Sequence, residues 1–172
     1  MQWPQQLTKW RVKPVLKRRA TWKLVSPPQL LDEVEMGQAS VIRIAVLDAS
    51  GNLKPGVKVY CDWEGRPPSE SVPWEITEAD GPKKGKREFP MGQSTIDPEK
   101  QKYGVYFCWV EDRSKSDEVR GLGLVYNKPT SFEIKFKLNP MNPKSVMSLL
   151  PVKTRTPKRH VKKPKPKRLL KK

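Results

Sequence analysis

Ser131-Phe132-Glu133-Ile134-Lys135-Phe136-Lys137-Leu138 places an apolar side chain at every second position and a polar or charged one between. Successive side chains of an extended chain point to opposite faces, so this stretch reads as a strand with one buried face and one wet face. That pattern belongs to antiparallel sheets solvated on one side. The same period recurs upstream. Ile42, Ile44 and Val46 alternate with Val41, Arg43 and Ala45, and Asp48-Ala49-Ser50-Gly51-Asn52 supplies a turn. After Pro55-Gly56, residues Val57, Val59, Cys61 and Trp63 share one face opposite Lys58, Tyr60 and Asp62, and Val72, Trp74 and Ile76 share a face opposite Pro73 and Glu75. Both read as strands with one buried side. Further strands are expected over residues 104–111 and 119–126, with residues 80–90 forming an exposed basic loop. About seven short strands with no long helix between them predict an all-β fold, an antiparallel β-sandwich.

The charge is distributed unevenly around this middle. Residues 1–39 carry seven Lys or Arg against three Asp or Glu, residues 40–138 sixteen against fifteen, and residues 139–172 twelve against none, for a net charge of +17. A length of 172 residues, 35% hydrophobic and 31% charged, supplies one core plus extensions. The expected organisation is a basic N-terminal arm over 1–39, a sandwich over 40–138 and a Lys/Pro-rich basic tail over 139–172.

In the N-terminal arm, Trp3, Trp10 and Trp22 are spaced among Lys9, Arg11, Lys13, Lys17, Arg18, Arg19 and Lys23. Rings among cations suit stacking on bases and pairing with phosphates. The other reading is that the tryptophans pack on the domain while the cations stay in water. Ser26-Pro27-Pro28 followed by residues 29–36 and Gly37 predicts a short capped connector helix. Near the other end, Val146, Met147, Leu149 and Leu150 predict one or two helical turns that Pro151 stops. Beyond them Pro157, Pro164 and Pro166 forbid a continuous helix and favour extended geometry, which spreads the cations along a line able to follow a phosphate backbone.

The segment from Val41 through Asp48, Gly51, Gly56 and Val57 to Tyr60, with its strand, Asp-x-x-Gly turn and Gly-Val-x-Val strand, resembles the opening of bacterial and phage immunoglobulin-like or prealbumin-like domains. Tyr103-Gly104-Val105-Tyr106-Phe107-Cys108 resembles the Gly-x-Tyr-x-Cys signature of immunoglobulin domains, with Lys102 where that signature has an Asp. The resemblance covers residues 41–138 and implies an immunoglobulin-like sandwich in which Cys61 and Trp74 stand as counterparts of the first Cys and the core Trp. Such domains serve as binding or decorating modules on enzymes, adhesins and phage particles, so the likeness implies a display scaffold and no particular activity. Neither basic end belongs to it.

Two cysteines on expected strands allow a single inter-sheet disulfide, but with no sign of export two buried thiols are the expected state. No metal ligand set is visible, since His160 is the only histidine and lies in the tail. No Ser–His or Cys–His pair, P-loop or dinucleotide-binding glycine loop is present, so no catalysis, cofactor or small-molecule substrate is expected. Glu111-Asp112 and Asp117-Glu118 read as a solvated hairpin. No apolar run approaches the roughly 20 residues that span a bilayer. The N-terminus has neither the apolar core nor the cleavage site of a secretory signal, so a soluble protein, intracellular or particle-associated, is expected.

What the chemistry points to is a polyanion. Lys153, Arg155, Lys158, Arg159, Lys162, Lys163, Lys165, Lys167, Arg168, Lys171 and Lys172 are the candidate phosphate contacts, followed by Arg18, Arg19 and Trp10. Lysines supply charge without the bidentate geometry that reads a base, so little sequence discrimination is expected. The expectation is a non-enzymatic nucleic-acid-binding protein within a protein assembly such as a virion or ribonucleoprotein. The alternative is a surface adhesion or decoration module binding glycan, cell wall or capsid, with Trp63, Trp74 or Trp109 stacking on sugar rings.

Overall fold

The computed structural model describes residues 2–31, 40–91, 104–123 and 130–140. In chain order these form a short helix α1 (Gln5–Lys9) and strands β1 (Lys13–Val15), β2 (Trp22–Leu24), β3 (Gln29–Leu31), β4 (Val41–Leu47), β5 (Lys58–Trp63), β6 (Trp74–Ile76), β7 (Lys86–Pro90), β8 (Tyr106–Val110), β9 (Glu118–Leu122) and β10 (Ser131–Leu138). A 3₁₀ turn, Arg113–Lys115, sits between β8 and β9. The strands divide into two sheets, β1-β9-β8-β5-β6 and β2-β10-β4-β7, with β3 also paired to β10.

The second sheet is built on β10. Its Phe132, Ile134 and Phe136 lie opposite Ile42, Ile44 and Val46 of β4 in a parallel pairing, and all six side chains are fully buried. Each such side chain contributes about 1.5–3 kcal/mol by leaving water. On its other edge β10 takes two partners in succession. Leu24 of β2 lies opposite Phe136 and Leu31 of β3 opposite Ser131, both antiparallel. Pro27 and Pro28 separate the two, because proline has no N–H to continue a ladder.

The pairing of Gln29–Leu31 corrects the connector helix expected from residue 29 onward; residues 32–39 lie outside the described ones. An isolated helix of two turns is marginal in water, whereas the open edge of β10 satisfies these backbone groups directly. Lys86–Pro90 likewise departs from the expected loop. Phe89 is 7% exposed and faces Ile42 across the β4–β7 ladder, so a single buried ring converts the second half of a basic stretch into an edge strand. The expected strand at 119–126 is present as Glu118–Leu122, and residues 124–129 are outside the described ones.

Residues 2–31 are part of this body. Leu7, Val12, Trp22 and Leu24 belong to the same buried cluster as the strands of both sheets, with Trp3 and Trp10 packed against it. β1 extends the first sheet along β9, with Pro14 opposite Val119. Packing on the domain is therefore the state of the N-terminal tryptophans. The helix expected near residues 144–150 and the whole tail from residue 141 lie outside the described residues.

Cys61 and Cys108 do not face each other across the two sheets, as the inter-sheet disulfide that the sequence allows would require. They are direct cross-strand neighbours within one sheet, on β5 and β8, and both are free and buried.

Candidate nucleic-acid interface

Of the acidic residues that read as a solvated hairpin between β8 and β9, Glu111 and Asp112 are exposed, whereas Asp117 and Glu118 are buried and hold the N-terminal segment in place. The Asp117 carboxylate, 1% exposed, accepts the main-chain N–H of Lys17 at 2.8 Å and that of Leu24 at 3.0 Å. The Lys23 ammonium lies 3.6 Å from it. The Asp117 N–H donates to the Trp22 carbonyl at 2.9 Å, and the Trp22 indole N–H donates to Glu111 at 3.0 Å. Glu118, 3% exposed, receives Lys17 at 2.9 Å and both Arg113 and Arg120 at 3.1 Å. Burial opposes the charge on Glu118, but hydrogen bonds from Arg113 and Lys17, with their charges, hold its pKa below the usual 4.5. Ionised carboxylates accept such donors strongly, and this is why the Asp117-Glu118 pair becomes a buried anchor while Glu111 and Asp112 stay exposed.

Of the N-terminal candidates, Arg18 and Arg19 are exposed on the turn between β1 and β2, and Trp10 is half-buried against the core. Trp10 is thus occupied with packing. The candidates from Lys153 to Lys172 lie outside the described residues.

The outer face of the β9-β8-β5-β6 sheet gathers a set of rings, among them Trp74, which alternation assigned to a buried face. Tyr60 on β5 lies between Trp74 of β6 and Trp109 of β8 in the strand register. Its ring stacks on Trp109 with centroids 5.1 Å apart and planes 4° from parallel, and Trp109 stacks in turn on Phe107 at 5.8 Å. Cations lie over these rings. The Lys58 ammonium is 3.7 Å from the Trp74 centroid and 5.3 Å from that of Tyr60. The Arg113 guanidinium is 4.7 Å from Phe107 and 4.9 Å from Trp109, and that of Arg120 is 5.0 Å from Phe107.

Trp109 and Phe107 are covered, but Trp74 is 49% exposed and Ile76 50%. This overturns the buried face expected for β6. The register sets Trp74 opposite Tyr60 and Ile76 opposite Lys58, the outward residues of β5, and a strand must present the same face as the neighbour it pairs with. Trp63 is half-buried and tilts against Tyr106 at 6.4 Å.

The outer face of the other sheet is polar and internally paired. Arg43 bonds Glu88 at 2.9 Å, while Lys86 at 3.2 Å and Lys135 at 2.9 Å both reach Glu133. For Glu88 and Glu133 alike, burial is outweighed by the hydrogen bonds and charge of their lysine and arginine partners, so both pKa values fall below the usual 4.5. An open cleft of about 780 Å³ between α1, β3 and this face is lined by Arg43, Lys86 and Glu133, and its two cations are paired with Glu88 and Glu133 respectively.

Burial pushes the Cys61 thiol up to about 12, with the Asp62 charge adding to it, and raises Cys108 as well. Neither is a nucleophile in this setting. Among the described residues no group of three or more His, Cys, Asp or Glu could hold a metal ion, and no helix is long and apolar enough to cross a membrane. No family model matches the chain, and no curated protein matches it.

Proposed function

We propose that this is a non-enzymatic nucleic-acid-binding protein in which a β-sandwich carries a Lys/Pro-rich basic segment onto phosphates, as a component of a larger assembly such as a virion or ribonucleoprotein. One observation carries the reading: residues 139–172 hold twelve Lys or Arg and no Asp or Glu, beside a middle section that is nearly neutral. Like charges at this density gain free energy by displacing the counterions of an acidic polymer. Arg18 and Arg19, exposed on the β1–β2 turn, add to the same potential.

We also infer that the scaffold is the prealbumin-like form of the resemblance. With β4 to β10 lettered A to G, the sheets run D-A-G and C-B-E-F, whereas constant-type immunoglobulin domains divide as ABED and CFG. In that scheme A lies beside B, and here it lies between D and G.

Titration of the full chain, and of a chain lacking residues 153–172, with duplex and single-stranded nucleic acid over a range of salt tests the reading. If the tail neutralises about six to ten phosphates, affinity of the full chain falls by about three to five decades between 50 and 200 mM salt, and the truncated chain loses most of that slope. Binding that ignores both the truncation and the salt removes the proposal. An adhesion module would instead retain glycan binding after the basic segments are removed.

A further inference from the structure

We propose that the outer face of the β6-β5-β8 sheet, at Trp74, Tyr60 and Lys58, binds single-stranded nucleic acid by stacking an unpaired base on Trp74 and pairing its phosphate with Lys58. The inference rests on the nucleic-acid reading above and adds to it a second surface with a preference for unpaired strands.

The rings form a row. Trp74, Tyr60 and Trp109 occupy directly opposed positions on three adjacent strands, and neighbouring strands lie about 4.8 Å apart. Tyr60 is fixed against Trp109 in a nearly parallel stack, which in turn lies beneath the Arg113 guanidinium. The inner part of the row is thus a rigid support. Its outer end, Trp74, is half exposed, with the exposed Ile76 beside it on the same face. The Trp74 indole, half exposed with the Lys58 ammonium 3.7 Å from its ring centroid, offers its remaining π-surface beside a cation.

The charges around the row select the ligand. Lys58, Arg113 and Arg120 touch the rings. Glu118 neutralises part of the arginine charge, and Asp62, the outward residue after Tyr60 on β5, is held by Arg66 at 2.7 Å. Among the described residues the contacts of the Lys58 ammonium are the two rings, so its charge is available to an incoming anion. Aromatics interleaved with cations are the physical requirement of a single-strand platform, because each unpaired nucleotide brings a π-face and a phosphate together. A duplex keeps its base faces stacked on one another and cannot use Trp74. A neutral sugar could cover the indole but leaves the cations unmatched.

The test compares the full chain with its Trp74→Ala, Trp74→Phe and Lys58→Ala variants, using an oligo-dT strand and a mixed-sequence duplex over the same series of salt concentrations. The expected result is a loss of about tenfold in strand affinity for Trp74→Ala, the size of one base–aromatic stack, with duplex affinity unchanged and Trp74→Phe largely restored. Lys58→Ala is expected to lower strand affinity and its salt slope together. Because Trp74 is half exposed and outside the core, an unchanged thermal midpoint confirms that the variants are folded. Equal strand affinity for the wild type and Trp74→Ala overturns the inference, as does a loss confined to glycan binding or to self-association. The tail reading fails separately, through a duplex affinity that does not respond to removal of residues 153–172. Failure of the full chain to bind either probe overturns both.

Discussion

The main-chain N–H of Leu24 donates to the carboxylate of Asp117 at 3.0 Å, across 93 positions of sequence. The same carboxylate takes the N–H of Lys17 through its other oxygen. One side chain therefore closes both ends of the segment that crosses from the first sheet to the second, after β1 and into β2. Replacing Asp117 by Ala strands two main-chain donors and removes a buried charge that receives Lys23. The expected cost is about 2–4 kcal/mol, with Asp117→Asn costing less because its amide oxygen still accepts one bond. Urea unfolding of the two variants measures the difference, and equal stability of Asp117→Ala and wild type would remove the anchoring role.

Gly121 on β9 has φ +81°, and a Cβ there would meet the Arg11 carbonyl oxygen at 2.5 Å. Gly56 has a similar φ of +72° with open space around it. Alanine at Gly56 meets only the left-handed strain of about 1–2 kcal/mol. At Gly121 it must also push residues 11–12 away from β9, so Gly121→Ala is expected to be the more destabilising of the two. Hydrogen exchange at β1, which pairs with β9 through Arg120 and Val119, should accelerate in that variant alone.

Glu88, Glu118 and Glu133 all have pKa values lowered from 4.5 in the folded state. A group that binds its proton less tightly when folded stabilises the fold above its unfolded pKa and loses that contribution as pH falls through the folded value. Stability is thus expected to be level near neutrality and to decline below about pH 4.5. Glu118→Gln should be less stable at pH 7 and show a shallower acid decline. Denaturant midpoints from pH 7 to pH 3 check both, and a variant with the wild-type acid slope would exclude Glu118 as a source.

The thiols offer a readout of opening. With Cys61 pushed to about 12 and Cys108 raised by burial, iodoacetamide is expected to leave both unmodified at neutral pH in the native protein. Their alkylation should appear with the urea transition and occur together, since the two sit opposite each other in one ladder. Rapid native labelling of either cysteine would contradict their burial.

Much of the fold can be read from alternation alone. Phe132, Ile134 and Phe136 and their partners Ile42, Ile44 and Val46 reach the core because a period of two leaves them no other face to share. Alternation fails at β6, where Trp74, Glu75 and Ile76 are too few to state which side is inward, and the pairing with Lys58 and Tyr60 turns the apolar side to water. It fails at β3 for a related reason. Local signals of proline and glycine favoured a helix over residues that β10 had an edge to receive. Glu111, Asp117 and Glu118 were charged residues in a turn, and nothing local could reveal that Trp22, Lys17 and Leu24 would arrive from about ninety residues away to meet them.

From the chain alone came the β class, the apolar stripes of the long strands and the concentration of positive charge over residues 139–172, all properties of spacing and composition. The tertiary structure decided which edge each short strand joined, that residues 2–31 complete both sheets, and that Trp74, Tyr60 and Trp109 lie in one row on the outside. Those outcomes depend on hydrogen-bond ladders and buried ion pairs between distant segments, whose free energy exists only once both partners are in place.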